Sequence, residues 1–237
     1  MEISFSDFIT CLFSGLSYLP VTIKMAVVSI IIATVLSIFV AIIQYYKVPV
    51  ISQILTIVVT VYQGIPFIVS ILIYQLLFLI YFNDVAAFFH SSLTVNDVSS
   101  IYIGYFAMTL GAMTGLIECF RGALKSVPKI QFEAAASVGM TTWQGLRRII
   151  LPQMFPVAFP SYMSNIISVI KGIPLLSAIG ILEVMQGSLI PCAVNYSYIE
   201  GYIAVAVIYL VFIGVLTIVL EIIEKKVFVH QQTAGSL

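Results

Sequence analysis

The sequence predicts an all-α integral membrane protein with five transmembrane helices. Three observations carry this: only 8% of the 237 residues are charged, 61% are hydrophobic, and the charges bracket apolar runs of membrane-spanning length. Soluble domains carry about 25% charged and about 45–50% apolar residues. A surface with so few ions has to face lipid, in line with the mean hydropathy of +1.14. The same composition excludes a disordered chain, a collagen and a disulfide-dense secreted scaffold. A formal net charge of zero leaves no bulk field to attract nucleic acid.

A helix needs about 20 apolar residues to cross about 30 Å of hydrocarbon. From Met25 to Tyr46, between Lys47 and Lys24, 22 residues carry no charge; 36 lie between Lys47 and Asp84. A further 20 separate Asp97 from Glu118, 22 separate Arg148 from Lys171, and 20 separate Glu200 from Glu221. These gaps place spans near 20–45, 51–82, 98–118, 153–181 and 199–223. The second is too long for a simple crossing unless it tilts or extends beyond the bilayer. Barrel strands would be about 10 residues long and strictly alternating. The run Val27–Ile43 has no such alternation, so the spans are helical.

Basic residues set the orientation. With the N-terminus outside and the C-terminus inside, eight of the ten basic residues fall in cytoplasmic segments: Lys47, Arg121, Lys125, Lys129, Arg147, Arg148, Lys225 and Lys226. Outward segments then hold Glu2, Asp7, Asp84, Asp97, Glu183 and Glu200, with no basic residue. Glu2 and Asp7 stand where a secretory signal would carry positive charge, so no signal peptide is expected. The chain reads as a single transmembrane domain over 1–237, with no internal repeat.

Catalytic chemistry finds no support. There is no GxxxxGK[ST] loop to cradle nucleotide phosphates, no HExxH and no GxSxG, and His90 and His230 stand far apart in sequence. The three cysteines, Cys11, Cys119 and Cys192, have no metal-ligand spacing and read as apolar side chains; no metal site and no catalytic residue is expected.

The longest connection, 119–152, is cytoplasmic in this orientation and holds five basic residues and the one tryptophan, Trp143. Glu133, Ala134, Ala135 and Ala136 favour helix. Gly139 suits a helix end or tight turn, Thr141 or Thr142 can cap a second short helix through Ile150, and Pro152 ends what precedes it and opens the next span. The expected element is two short interfacial helices with a bend at glycine. Its small residues permit close approach by another protein, and Glu133 offers a charged anchor.

The spacing of Glu133-Ala134-Ala135, Gly139 and Ile149-x-Leu151-Pro152 resembles the coupling-loop signature of ABC importer permeases. Glu118, Arg121, Gly122, Gln131 and Met140 narrow the resemblance to the polar amino acid uptake family, as do Gln153, Asn165, Lys171, Leu175 and Gly180. Gly64 and Pro66 match its R-G-T-P stretch, so the similarity runs from about Gly15 to Lys226. Two positions depart from the pattern. Gln63 stands where the family usually has arginine, and Gly172-Ile173-Pro174-Leu175 stands where it favours an acid or polar residue and then Thr-Ser-Leu; the stretch from Asn83 to Val98 is idiosyncratic.

Polar residues inside spans are costly and therefore candidates for a solute pathway. Thr56, Thr60, Gln63, Ser70 and Tyr74 share one face of the second span with Phe67, and Gly64 and Pro66 predict a bend beside Gln63. That stripe reads equally as pathway lining or as helix–helix hydrogen bonding. Ser161, Asn165, Ser168 and Gly172 share a face of the fourth span, beside Lys171, with Gly172 and Pro174 predicting a second bend. Lys171 meets water and solute, or else pairs with an acid or snorkels to an interface. Ala107, Gly111 and Gly115 form a small-residue ridge suited to helix packing, and Glu118 and Arg121, three apart, suit an ion pair.

The resemblance implies a type I ABC importer transmembrane domain in a bacterial cytoplasmic membrane. Glu133, Ala134, Ala135, Gly139, Leu151 and Pro152 would couple it to two cytoplasmic ATPase subunits, and ATP–Mg would bind those partners and not this chain. A second permease copy or a paralogue would complete the pathway, and an external binding protein would deliver a small polar amino acid. Gly64, Pro66, Glu118, Arg121, Gly172 and Pro174 are structural or gating candidates; Thr60, Gln63, Ser70, Asn165, Ser168 and Lys171 are pathway candidates. The rival readings are an ATPase-independent secondary transporter or channel, and a membrane scaffold.

Overall fold

The structure, a computed structural model, describes residues 4–234, with side chains up to Lys226. Glu2 and the His230 side chain, both used in the sequence reading, lie outside the described residues. Helix α1 (Phe5–Ser17) is capped by Ser4, whose Oγ accepts the Asp7 N–H at 3.3 Å. It is followed by α2 (Leu19–Tyr45), α3 (Ile51–Gln63), α4 (Phe67–Phe88) and α5 (Ile101–Ser126). Next come the short α6 (Lys129–Ser137) and α7 (Thr142–Gly145), then α8 (Leu151–Gly172), the short α9 (Val184–Leu189) and α10 (Cys192–Asn195), and finally α11 (Tyr198–Ala234).

Five helical stretches among the described residues are long and apolar enough to cross a membrane: Phe5–Tyr45, Phe67–Phe88, Ile101–Ser126, Thr142–Ile179 and Tyr198–Lys226. The predicted number holds, and three boundaries move for identifiable reasons.

The stretch 51–82 is not one bent helix. It breaks completely at 64–66, so α3 is a separate 13-residue helix and α4 alone makes the crossing. Proline has no N–H to continue a ladder, and Pro66 sits in extended conformation as the residue preceding α4. The predicted stripe from Thr56 to Tyr74 is therefore not a continuous helical face.

The third crossing runs on to Ser126, absorbing Glu118, Arg121 and Lys125 that had been placed at or beyond its end. The fourth begins before Pro152 instead of at it. The chain is helical from Thr142 to Gly172, with a π-turn over Leu146–Ile150. A prolyl ring clashes with the carbonyl four residues back. For Pro152 that residue is Arg148, inside the widened turn, which is how the helix continues through the proline. Pro156 and Pro160 also lie within α8, as membrane helices tolerate. Beyond Gly172 the helix tightens to a 3-10 form over Ile173–Ile179 and stops at Gly180, whose φ of +79° is left-handed.

Packing gathers into two units. The first comprises the chain up to Ile32 with Gly64–Gly111 and Ser168–Val215; the second comprises Ala33–Gln63, Ala112–Ile167 and the chain from Leu216 onward.

In the first unit α1 packs along α9. Small residues let the backbones approach: a Cβ at Gly15 would lie 1.9 Å from Ser188 Oγ, and one at Gly187 would lie 2.2 Å from Tyr18 Cδ2. Ser14 Oγ donates to the Gly187 carbonyl at 2.7 Å across the same contact. Cys11, Cys192 and Ala204 form a fully buried cluster beside it.

In the second unit Ser37 Oγ donates to the Met113 carbonyl at 3.4 Å, and Thr34 and Tyr162 hydroxyls pair at 2.9 Å. The Phe120 ring lies beside Tyr162 and Phe155. A hydroxyl that hydrogen-bonds to a neighbouring helix avoids standing unsatisfied in hydrocarbon.

Candidate functional site

The connection between α5 and α8 belongs to the second unit and is built from aromatic and small residues. Val127-Pro128 ends α5 and starts α6, with Pro128 in extended conformation ahead of it. Phe132, on the first turns of α6, stacks on Tyr45 at the end of α2 with ring centroids 5.7 Å apart and planes 20° apart. Tyr46 meets the same ring edge-on at 6.5 Å. Phe132 thus anchors α6 to a helix more than 80 positions earlier in the sequence. Phe132 was not marked by the local pattern; the one available signal was an aromatic two positions before an alanine run.

Helix α6 ends where Gly139 turns the chain at φ +76°, a conformation that costs an L-residue about 1–2 kcal/mol. A Cβ there would meet nothing within 4 Å, so the requirement is one of backbone alone. Thr141 then caps α7: its Oγ1 accepts the Gln144 N–H at 3.3 Å while Gln144 Oε1 accepts the Thr141 N–H at 2.9 Å. This reciprocal pair is a capping box, and it selects Thr141 over Thr142. The expected bend at glycine is present. The second short helix is not free-standing, because α7 continues through the π-turn into α8.

Of the coupling candidates, Ala135 is buried, and a Cβ at Gly145 would lie 3.2 Å from it, which sets the spacing of α6 against α7. Glu133, Ala134, Gly139 and Pro152 are exposed, and Leu151 is half-buried. Ile130, Val138 and Trp143 are 67%, 72% and 58% exposed around them. Large apolar side chains flanking small residues make a surface shaped for a protein partner. Beneath it lies a cavity of about 210 Å³ lined by Tyr46, Phe132, Met140, Thr141 and Ile150 among others. Gln153 Nε2 reaches Gln131 Oε1 at 3.4 Å, a second tie between α8 and α6. Glu118 and Arg121 form the expected ion pair on α5.

The pathway candidates do not share one helix. Thr60 and Gln63 are exposed on α3 in the second unit; Ser70 is buried on α4 in the first, its Oγ without a hydrogen-bond partner among the described residues. Asn165, in the second unit, donates from Nδ2 to the Ser161 carbonyl at 2.8 Å and fills the space over Gly115, where a Cβ would lie 2.0 Å from its Oδ1. Its visible task is packing on the small-residue ridge of α5.

In the first unit the two predicted bends meet at one ring. Phe67, directly after the break at 64–66, lies over Gly111, where a Cβ would come 2.6 Å from Cε2, and touches Gly172, where a Cβ would lie 3.5 Å from Cε1. The 3-10 segment after Gly172 packs on α4. Lys171 is exposed and makes no ion pair among the described residues. It opens onto a groove of about 540 Å³ with Pro174, Tyr209, Leu210, Ile213 and Gly214, and Ser168 is also exposed.

Glu183, which the charge pattern places in an outward segment, is fully buried at the start of α9. It caps that helix, accepting the Met185 and Gln186 N–H groups at 2.9 and 3.0 Å, and accepts the Tyr209 hydroxyl at 3.2 Å. Burial pushes its carboxyl above the usual range, against the pull of those three donors.

Five helical stretches long enough to cross a membrane, with an exposed helix pair seated on aromatic rings, define a multi-pass membrane protein. The chain belongs to the family described as "Binding-protein-dependent transport system inner membrane component", whose profile matches residues 33–229. It is 33% identical over 202 residues to the probable amino-acid ABC transporter permease PatM of Vibrio harveyi, covering 85% of this chain and 86% of that one. It is 32% identical over 207 residues to the probable amino-acid permease YxeN of Bacillus subtilis, covering 87% and 88%. The fold is similar to a chain in a solved amino acid ABC transporter (TM-score 0.76, 24% identity, 95% of this chain and 100% of that one). It is also similar to a chain of the inward-facing MetNI methionine ABC transporter (TM-score 0.65, 18% identity, 87% and 92%). Membership sets the ABC permease reading above the ATPase-independent one.

Proposed function

We propose that this chain is the solute-conducting permease subunit of an ATP-driven amino acid importer in a bacterial cytoplasmic membrane, N-terminus outside. The observation that carries the reading is the α6–Gly139–α7 surface: exposed small and apolar residues, anchored by Phe132 and continuous through α7 with a crossing helix. An ATPase subunit gripping this surface moves α8 directly, since the chain stays helical from Thr142 to Gly172. Glu133, Ala134, Ala135 and Gly139 form the grip, with Leu151 and Pro152 at the root of the moving helix. ATP–Mg binds the ATPase subunits, and their closure switches the pathway between inward- and outward-facing states as a rigid-body motion.

The permease works as a pair, with a second copy or a paralogue. Helix α3 supports this, because it buries none of its 13 residues within one chain. An external binding protein delivers the solute. Lys171, Ser168, Ser70, Asn165, Thr60 and Gln63 are the candidates for lining its route. Gly64, Pro66, Gly172 and Pro174 bend the helices that gate it, with Phe67 between them, while Glu118 and Arg121 brace α5.

The test is reconstitution in vesicles with a cognate ATPase and binding protein. ATP-dependent amino acid uptake that is lost on Glu133→Ala or Gly139→Val, with the permease still folded, supports the reading. Uptake that proceeds without ATP overturns it.

A further inference from the structure

Cys11 and Cys192 stand 181 positions apart in sequence, yet their sulfurs touch at 3.5 Å. Both side chains are fully buried, and both thiols are free. The contact is held from several directions: α1 packs along α9, Ser14 hydrogen-bonds to Gly187, and Ser4 N–H donates to Glu200 at 3.0 Å. Gly201 leaves room for Cys192, since a Cβ there would lie 2.5 Å from its Sγ and 2.9 Å from Leu189 Cδ2. The sulfurs are therefore fixed neighbours within one unit. Closing to a bond of about 2.05 Å requires side-chain rotation and a movement of about 1.5 Å.

Topology puts the pair on one face of the membrane. Cys11 lies on α1, ahead of α2, whose 27 residues alone are long enough to cross, and Cys192 lies between the fourth and fifth stretches, so an even number of crossings separates them. In the orientation proposed above that face is outside, where disulfides form and persist; the inference rests on that orientation. Cys119 sits on α5, donating to the Ala158 carbonyl at 3.4 Å.

We propose that Cys11 and Cys192 form a disulfide that staples the amino-terminal helix α1 to α10 on the outer face of the membrane. The two thiols lose two protons and two electrons as the sulfur–sulfur bond forms. The acceptor is the disulfide of an external thiol oxidoreductase, which is cleaved to a dithiol. Exchange occurs while α10 docks on α1, before Gly201 and Ala204 seal the thiols. The bond then closes a loop between residues 181 positions apart, restricting the unfolded chain strongly.

The experiment uses the full chain in membranes from cells, solubilised in denaturant with N-ethylmaleimide and no reductant, then digested for mass spectrometry. An N-terminal protease-cleavable tag on the same protein reports which side that terminus occupies. A peptide pair joining Cys11 to Cys192 that separates on reduction, with Cys119 alone alkylated, supports the staple. Reduction should then lower the melting temperature of the purified protein by about 5–10 °C, and the Cys192→Ser variant should show no such drop. Three alkylated cysteines with the tag outside overturn the staple. Three alkylated cysteines with the tag inside overturn the orientation and the staple with it.

Discussion

The Phe132 ring stacks on Tyr45 at 5.7 Å, joining the short helix of the docking surface to the end of α2. Within the described residues this contact and the Gln131–Gln153 bond hold α6 in place while Ile130 and Val138 on the same helix stay exposed. In the coupling role proposed above, the element has to present its grip without yielding when pulled, and an aromatic anchor behind an exposed face meets both demands.

Phe132→Ala removes a half-buried ring and its stacking contact, a loss of about 2 kcal/mol at this seat. Amide hydrogen exchange across residues 129–137 should quicken, and binding-protein-stimulated ATP hydrolysis in the assembled transporter should fall severalfold. Phe132→Tyr keeps the ring and should restore both. Unchanged exchange in the alanine variant would remove the anchor from the account.

Gly139 adopts φ +76° with open space around it. Asparagine tolerates that region; valine does not. Coupled uptake should survive Gly139→Asn largely intact and drop at least tenfold in Gly139→Val. Equal activity of the two would show that the turn is not needed for coupling.

Phe67 lies over Gly111 so closely that an added methyl would sit 2.6 Å from the ring. Gly111→Ala should cost about 1–3 kcal/mol by overpacking, read as a lower melting temperature in detergent. Phe67→Leu should recover part of that loss in the double variant. Additive single effects would mean that the two sites do not touch.

Glu183 titrates within a buried cap outside the crossing segments. Its folded pKa is raised above the unfolded value of about 4.3, so the neutral form is favoured in the folded protein. That contribution is complete below the unfolded pKa and disappears as pH rises through the folded one. Melting temperature should therefore fall as pH rises across that interval in the wild type and stay flat there in Glu183→Gln. Glu183→Ala removes the cap of α9 and should cost about 1 kcal/mol at every pH. A wild-type profile that rises with pH through the same window would contradict the buried assignment.

Lys171 is the one basic side chain on the groove it shares with Tyr209 and Leu210. Lys171→Met should lower uptake at least tenfold, with normal assembly and basal ATP hydrolysis, if it meets the solute. Lys171→Arg should retain part of the activity. Normal uptake in the methionine variant would assign the lysine to an interface with lipid.

Much of this protein was legible because lipid imposes a simple rule: sparse charges mark helix ends, and long apolar runs must be helices. Spacing also marked the glycine turn and the cap of α7, since Gly139 and Thr141 act through their own backbone and immediate neighbours. Where reasoning along one helix failed, a local geometry or a distant partner intervened. The break at 64–66 divided a stripe that looks continuous in sequence, and the π-turn before Pro152 carried a helix through a residue that ordinarily ends one.

The sequence alone therefore determined the class, the number of crossings and the turn at Gly139 between two short helices, because each depends on composition or on residues a few positions apart. Tertiary structure alone decided that Phe132 anchors on Tyr45, that Phe67 joins two bends through Gly111 and Gly172, that Glu183 is buried, and that Cys11 touches Cys192. Each of these joins residues from different helices. In an almost uniformly apolar chain no charge pattern distinguishes one such partner from another; only the fit of particular side chains against glycine and alanine does.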